Sequence, residues 1–380
     1  MKFIEGNQLL LLSVFVATLA IIFAVVVVGL ALLLRKRGQR RLESTRAQLQ
    51  SFYAYKINAL LLGTNDDDED LEMSGDDQRR ALVEELNEGL RKTGRFARKL
   101  HRETIRDVMI DLARNLVGES RSAIGEMFGL LGFADEELTD LDSKHWWVRA
   151  KACRASSIMS SKGAVERLVA LLEDEEEDVR VEAAMALVEI AGTDALGPLL
   201  KHLKKISVWM SLQLSHAILK MGSAAVEDLV AGLNSDSYSV QSFCVQMLSA
   251  IGDVRAVEPL IRLAQYASAP LRSQAITALG VFGEGTSLTI IMKNCSHDNE
   301  EVRKCAASAL GRFDTPLGVP FLRELLLHDA VDVRLAAGES LARLGKAGNA
   351  ALREAEISAD NLGRGIALQF RSEFETISTE

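Results

Sequence analysis

The stretch EEEDVRVEAAMALVEIAG, Glu175–Gly192, decides the fold of this chain because related lines return before and after it. The related lines are SKHWWVRAKACRASSIMS, SYSVQSFCVQMLSAIGD, SAPLRSQAITALGVFGE, DNEEVRKCAASALGRFD and DAVDVRLAAGESLARLG. One apolar column, just before a site that is most often arginine, comprises Val148, Val179, Met210, Val240, Leu271, Val302 and Val333, in steps of 31, 31, 30, 31, 31 and 31 residues. A fixed period of this length is typical of a repeat architecture.

Each repeat is predicted to be a pair of short antiparallel helices. Counted from the arginine site, apolar residues recur at −1, +3, +7 and +10, which lie on one face of an α-helix. A second apolar column comprises Val165, Leu196, Val226, Val257, Leu288, Val319 and Ala350. Both columns lose one residue between Gly222 and Val226, so the shortening falls in a turn. One pair cannot bury its apolar stripe alone, whereas stacked pairs bury a continuous core.

The pattern AVEPLIRLAQYASAPLRSQAITALG and its relatives resemble short HEAT-type repeats of the bilin-lyase-like subclass, over about residues 145–357. The resemblance implies an all-α protein with a right-handed α-solenoid of about 31 residues per repeat. It implies little about function, because this repeat class serves many roles. The whole layout is similar to bacterial membrane-anchored HEAT-repeat proteins, in which an anchor leads into a line like HWWVRAKACRAS. Some of those proteins accompany envelope or polysaccharide machinery.

Residues 9–34 predict a single N-terminal transmembrane helix. They contain no charged residue, and 26 residues form about 39 Å of helix, enough for a hydrocarbon core of roughly 30 Å. The basic flank RKRGQRR follows, and the positive-inside rule places it in the cytoplasm. A cleaved signal peptide would need a shorter apolar run, a basic start and a small-residue cleavage site. We therefore expect a single-pass plasma (inner) membrane protein with its N terminus outside and its repeat domain in the cytoplasm.

Four regions follow from these patterns. They are the anchor and basic flank at 1–42, a juxtamembrane helical region at 43–142 with an acidic loop at 65–77, the repeat array at 143–357, and a C-terminal cap and tail at 358–380. The acidic loop lacks the ligand spacing of a calcium loop and is expected to be solvated. A basic amphipathic helix at 91–106 either contacts anionic lipid headgroups, pairs with the acidic loop, or stays in solvent.

Composition and motifs favour neither nucleic-acid binding nor catalysis. A net charge of −9 does not attract nucleic acid. The four cysteines form no CxxC pair and are expected to be reduced, as in a cytosolic domain. There is no P-loop, HExxH or GxSxG motif. His297 and His328, 31 residues apart, have no third or fourth metal ligand nearby in the pattern. We expect no metal, no cofactor and no enzyme activity.

The arginine site itself forms an arginine ladder, defined as Arg149, Arg180, Arg272, Arg303 and Arg334. A structural role is favoured, in which each arginine joins adjacent repeats through acids and helix-end carbonyls. The acids expected near the ladder are Asp178, Glu301, Asp332, Asp236, Asp298 and Asp329. The other interpretation is a binding stripe for acidic partners. Ser211 and Gln241 replace arginine at two ladder positions. The replacement is either neutral sequence drift or an alteration of the surface for a partner.

The outward residues of the same helices are the expected contact set, because in HEAT-like solenoids this helix lines the concave surface. The candidate partner-binding residues are Val181, Met185, Leu212, His216, Gln246 and Thr277. The apolar members either form an exposed strip that binds protein or are partly buried against the next repeat. Trp146, Trp147 and Trp209 are expected to be packing residues.

The predicted function is therefore that of a membrane-tethered cytoplasmic scaffold. It binds a protein partner that belongs to a membrane or envelope-biogenesis complex. Two alternatives stay open. One is a bilin-lyase-type enzyme, which the repeat subclass implies. The other is a sensor of lipid surfaces that acts through the basic helix 91–106.

Overall fold

A computed structural model describes residues 2–62 and 75–377, and the regular elements in those ranges are all helices. The chain divides into two compact units, Met1–Glu137 and Leu138–Glu380. The all-helical expectation is thus confirmed for the part of the chain that the structure describes.

The first unit is built from α1 (Lys2–Leu62), α2 (Gly75–Lys92), α3 (Arg95–Asn115), α4 (Glu119–Leu130) and the start of α5 (Phe133–Leu141). Its core contains Ile105, Met109 and Phe128, each at most 2% exposed. The end of α1 packs on α3, where the Tyr53 hydroxyl lies 2.6 Å from His101 Nδ1. The predicted apolar face of the basic run is therefore a buried face of α3.

Two predictions about the first unit are corrected. Gly75–Asp77 belong to α2 rather than to the acidic loop, because Asp76 and Asp77 in its first turn complement the helix dipole. The rest of that loop lies outside the described residues. The basic helix 91–106 is broken at Thr93 and Gly94, where Arg98 Nε donates to the Leu90 carbonyl at 2.8 Å and so caps the end of α2.

The predicted membrane span 9–34 lies on α1, but the side chains of residues 1–26 are outside the described part of the chain. Among the residues that are described, one helical stretch, Glu177–His202, has the length and apolar composition to cross a membrane. Half of that stretch is buried inside the repeat unit. It is a core segment of the array.

The second unit repeats one pair of helices. The first helices of the pairs are α6 (Trp146–Met159), α8 (Glu177–Ala191), α10 (Val208–Met221), α12 (Tyr238–Ile251), α14 (Ala269–Phe282), α16 (Glu300–Leu310) and α18 (Val331–Arg343). The second helices are α7 (Val165–Leu171), α9 (Leu196–His202), α11 (Val226–Gly232), α13 (Val257–Tyr266), α15 (Leu288–Asn294), α17 (Val319–His328) and α19 (Gly345–Ser358). A final helix, α20 (Asn361–Ile377), packs on α18 and α19.

The core consists of the predicted apolar columns. At +3 and +7 every residue of the seven first helices is buried, from Ala152 and Ser156 to Ala337 and Leu341. Short 3-10 turns lead into the second helices, and the predicted one-residue shortening falls in one of them, Gly222–Ala225. Gly222 there has a φ of 59°, which a side chain would strain.

The first helices do not all approach each other equally closely. A Cβ atom on Gly280 of α14 would lie 2.8 Å from the Ala309 Cβ of α16, and Gly311 is similarly close to Ser340. In the repeat register these are contacts between position +8 of one helix and position +6 of the next. Between α10 and α12 the same positions hold Leu219 and Met247, and α10 makes a sparser contact with its neighbours.

Candidate functional site

The candidate site is the first-helix face, which we define as the outward residues of α8, α10, α12, α14 and α16. Its apolar part lies on α10. The exposed side chains there are Val208 at 90%, Trp209 at 55%, Leu212 at 65% and Leu219 at 44%. Val208, Leu212 and Leu219 are spaced by four and seven residues, so they form one stripe along the helix. An exposed apolar stripe of this kind is typical of a protein-binding surface.

The predicted partner residues divide between exposed and buried positions. Leu212, His216, Gln246 and Thr277 are exposed, while Met185 is partly buried and packs against the core. Val181 is only 7% exposed because α6 and α8 lie close together. Val181 therefore cannot contact a partner without rearrangement, and of the apolar candidates Val181, Met185 and Leu212 only Leu212 is exposed.

Trp209 is a further exposed side chain of α10, and sequence reasoning misplaced it. It was expected to pack, as were Trp146 and Trp147, yet these two are 39% and 56% exposed. Trp146 and Trp147 contact each other edge to face, and Trp147 stacks on His145. A signal existed for Trp209, because it stands at position −2, outside the apolar columns −1, +3, +7 and +10.

The face also contains a cavity of about 720 Å³ between α12, α14 and α16, lined by both apolar and polar residues. Gln246 and Thr277 line it, and so do Tyr238, Gln274 and Cys305. Gln274 Nε2 donates to the Tyr238 hydroxyl at 3.2 Å. Gln274 Oε1 is buried and accepts no hydrogen bond from any residue that the structure describes. Because this oxygen has almost no accessible surface, a partner reaches it only if the wall of the cavity moves.

Cys305 lies in the same cavity as a neutral thiol. Burial raises its pKa above the ordinary value, and the negative charge of Glu301 adds to that effect. Its sulfur lies 3.7 Å from Glu301 Oε1. A thiol whose ionised form is disfavoured is a poor nucleophile.

The structure places no cluster of three or more histidine, cysteine, aspartate or glutamate side chains suited to a metal within residues 2–62 and 75–377. His297 Nδ1 accepts a hydrogen bond from the Asn299 backbone N–H at 3.0 Å, a contact within its turn.

Within the arginine ladder, Arg149, Arg303 and Arg334 join consecutive turns of the array. Arg149 donates to both carboxylate oxygens of Asp174 at 2.7 Å and to the Ser143 carbonyl at 2.8 Å. Arg303 does the same with Asp329 at 2.6 Å and with the His297 carbonyl at 2.8 Å. Such paired hydrogen bonds to one carboxylate are strong and directional.

The remaining ladder arginines bind in related ways. Arg334 pairs with Asp360 at 2.7 Å, whereas Arg180 and Arg272 donate to backbone carbonyls. Of the six acids expected near the ladder, the structure pairs only Asp329 with a ladder arginine. Sequence reasoning missed Asp174 and Asp360. Their position in the sequence could have indicated the pairing, because each stands in the turn that follows the arginine's own repeat.

Electrostatics favour the charged form of the acid in these pairs. Burial by itself raises the pKa of Asp174 and of Asp329. Hydrogen bonds from Arg149 and Arg303, and from one backbone N–H in each case, outweigh that effect and hold each pKa below its ordinary value.

Comparison with known protein families finds HEAT repeats at residues 136–210 and 263–342. A search of curated proteins finds no match. Among solved structures, the chain is similar to an engineered protein of the Northeast Structural Genomics Consortium, at 22% identity and a TM-score of 0.35, over 75% of this chain and 86% of that chain. It is also similar to YibA of Escherichia coli, at 16% identity and a TM-score of 0.37, over 70% and 95% of the two chains.

A third similar structure is human deoxyhypusine hydroxylase in complex with glycerol, at 16% identity and a TM-score of 0.28, over 79% of this chain and 99% of that chain. Identities and TM-scores this low support no statement about function. The matched repeats and the stacked helix pairs support a HEAT-like repeat fold for the second unit. Repeats of this class support a protein-interaction scaffold.

Proposed function

We propose that this protein is a membrane-tethered HEAT-repeat scaffold in the cytoplasm, and that its first-helix face binds a protein partner from a membrane or envelope-biogenesis complex. The observation that carries the proposal is the exposed apolar stripe of α10, with Leu212 at its centre. Burial of apolar surface is worth about 25 cal/mol per Å², so a partner that covers this stripe gains binding free energy.

The cavity between α12, α14 and α16 adds specificity to that contact. Its exposed side chains Tyr238, Gln246 and Thr277 offer hydrogen-bonding groups to a partner. An apolar anchor beside placed polar groups is the usual composition of a protein interface. We therefore expect the partner to present an apolar residue to α10 and an N–H or O–H donor to the cavity.

The membrane tether rests on the charge-free residues 9–34 and on the basic flank that follows them. A single anchor would hold the repeat unit near membrane partners and raise their effective concentration. Fractionation of cells that make the full chain, compared with a chain lacking residues 1–42, tests this part. Equal amounts of the two chains in the soluble fraction would contradict the tether without affecting the scaffold proposal.

The scaffold is tested by crosslinked pull-down from native membranes with mass spectrometry. The test chain carries Val208→Asp and Leu212→Asp, and the control chain carries Val254→Asp and Leu317→Asp, which are 65% and 61% exposed elsewhere in the array. One partner retained by the wild type and the control but lost by the test chain is the expected result. Equal recovery of every protein by all three chains would contradict the assignment of this surface.

The lipid-surface alternative rests on exposed basic residues at the junction of α2 and α3, among them Arg91, Arg95 and Lys99. Liposome binding by the chain lacking residues 1–42 separates it from the scaffold. Binding that rises with anionic lipid content and falls with salt would favour the lipid sensor. The bilin-lyase alternative predicts a shifted, covalently retained chromophore when the protein is mixed with a bilin.

A further inference from the structure

The arginine ladder is interrupted in the third repeat, where α10 carries Ser211 at the ladder position. The two turns that an arginine there would join are residues 203–207, before α10, and 234–237, before α12. Between them lies a cavity of about 700 Å³, which we call the third-repeat crevice. Leu203 and Lys204 line one side of it, and residues 234–237 line the other.

Arginine occupies the corresponding place in other repeats. Arg303 reaches from the His297 carbonyl in the turn before its own helix to the Asp329 carboxylate in the turn before the next first helix. Arg149 spans its two turns in the same way. In the first and sixth repeats, the place between two consecutive turns therefore holds a guanidinium, with a carbonyl on one side and a carboxylate on the other. Arg180 and Arg272 differ, because they donate to backbone carbonyls just before their own helices.

The third repeat keeps the carboxylate but lacks the arginine. Asp236 stands five residues before the ladder position Gln241, as Asp329 stands five residues before Arg334. Asp236 lines the crevice, and no residue in the described part of the repeat unit forms an ion pair with it. Ser211 carries no charge that could pair with Asp236, and the segment before α10 is joined to the start of α12 by the Ile206 backbone N–H, which donates to Ser239 Oγ at 3.0 Å.

The crevice also has the room that a guest side chain needs. The corresponding cavity in the fifth repeat contains Arg272 together with Asp298, and its volume is about 240 Å³. The volume of the third-repeat crevice is nearly three times that of the fifth-repeat cavity. Volumes of several hundred Å³ are typical of ligand sites. The crevice is open to solvent, and no arginine is among the residues that line it.

The charges in the crevice favour a cation with an anion beside it. Asp228 is a second carboxylate in its wall, and burial together with the nearby Glu227 and Asp194 raises the pKa of Asp228. A cation relieves that crowding of negative charge. Lys201 and Lys204 line the opposite side, where Lys204 also pairs with Glu173.

We propose that the third-repeat crevice binds an arginine side chain supplied by another polypeptide, which completes the ladder from outside. The guanidinium pairs with Asp236, as Arg303 pairs with Asp329. A carboxylate next to that arginine meets Lys201 and Lys204. This site lies at the inter-repeat turns rather than on the first-helix face, so it requires neither the α10 stripe nor the membrane tether.

The test is a titration of the full-length protein with the fluorescently labelled dipeptide acetyl-Arg-Glu-amide and with its citrulline twin, which has the same shape without the charge. We expect saturable binding of the arginine peptide and a Kd for the citrulline peptide that is higher by about tenfold or more, because the charged pair is lost. Asp236→Asn is expected to weaken arginine-peptide binding by a similar factor. Asp298→Asn, in the cavity that already contains Arg272, is the matched control and leaves Kd unchanged.

A Ser211→Arg chain supplies the missing arginine from its own helix. We expect it to lose peptide binding while its Tm is equal to or above that of the wild type. Equal affinity for the arginine and citrulline peptides, unchanged binding by Ser211→Arg, or no saturable binding by the wild type would each overturn the proposal. These outcomes leave the α10 stripe untouched, so they are distinguishable from a failure of the proposed scaffold surface.

Discussion

At the scale of single residues, one repeat position produces two opposite environments. Val181 and Leu212 both stand one residue after the ladder position, yet the first is 7% exposed and the second 65% exposed. We expect Val181→Asp to destabilise the protein by about 3 kcal/mol or more, because it buries an unpaired charge. We expect Leu212→Asp to change stability by less than about 0.5 kcal/mol. Urea unfolding of the two variants measures this, and equal losses would contradict the packing described for α8 and α10.

The Arg303–Asp329 pair predicts a dependence of stability on pH. The pKa of Asp329 is below its ordinary value of about 3.9 in the folded protein. Its contribution is therefore fully present above that ordinary value and is lost as the pH falls through the folded pKa. We expect Asp329→Asn to cost about 2 kcal/mol at pH 7, with the difference from wild type shrinking towards pH 2. Asp314→Asn, on an exposed residue, is the control; a loss for Asp329→Asn that is independent of pH would contradict the role of charge.

At the scale of helices, the close approach of α14 and α16 depends on Gly280. A Cβ atom there would lie 2.8 Å from Ala309 Cβ and 2.9 Å from Ala309 Cα. Gly280→Ala is expected to destabilise the protein by about 1–3 kcal/mol, since the two helices must move apart. Gly285→Ala, where a Cβ meets nothing within 4 Å, is the matched control. Thermal unfolding of both variants decides the point, and a neutral Gly280→Ala would show that the helices separate at little cost.

The helix pairs and their buried columns were predictable because they depend on spacing along one chain. The +3 and +7 columns are buried throughout, as their period requires. The exposure of Leu212 was not predictable in the same way. It depends on how closely α10 packs against α8 and α12, which the spacing of apolar residues along the chain does not specify. Among the ladder acids, Asp329 was expected, whereas Asp174 and Asp360 were missed because the conformation of the turns that bring them to the arginines is not specified by spacing.

At the scale of the whole molecule, the chain consists of two compact units. We expect a fragment of residues 138–380 to fold alone, because its helix pairs bury one continuous core and α20 covers the last pair. Far-ultraviolet circular dichroism and a thermal melt measure this. A broad, non-cooperative melt would show that the first unit is needed for the fold of the array.

The looser joint at α10 has a mechanical consequence. In a stack of helix pairs each pair is supported only by its neighbours, so an applied force is carried through every joint in series. Helices α14, α16 and α18 approach each other closely, with Gly280 against Ala309 and Gly311 against Ser340, whereas α10 makes sparser contact with α8 and α12. Bending or stretching the array therefore concentrates deformation at α10. The repeat unit is therefore expected to resist deformation towards its C-terminal end and to deform more easily at α10, the helix that carries the exposed apolar side chains.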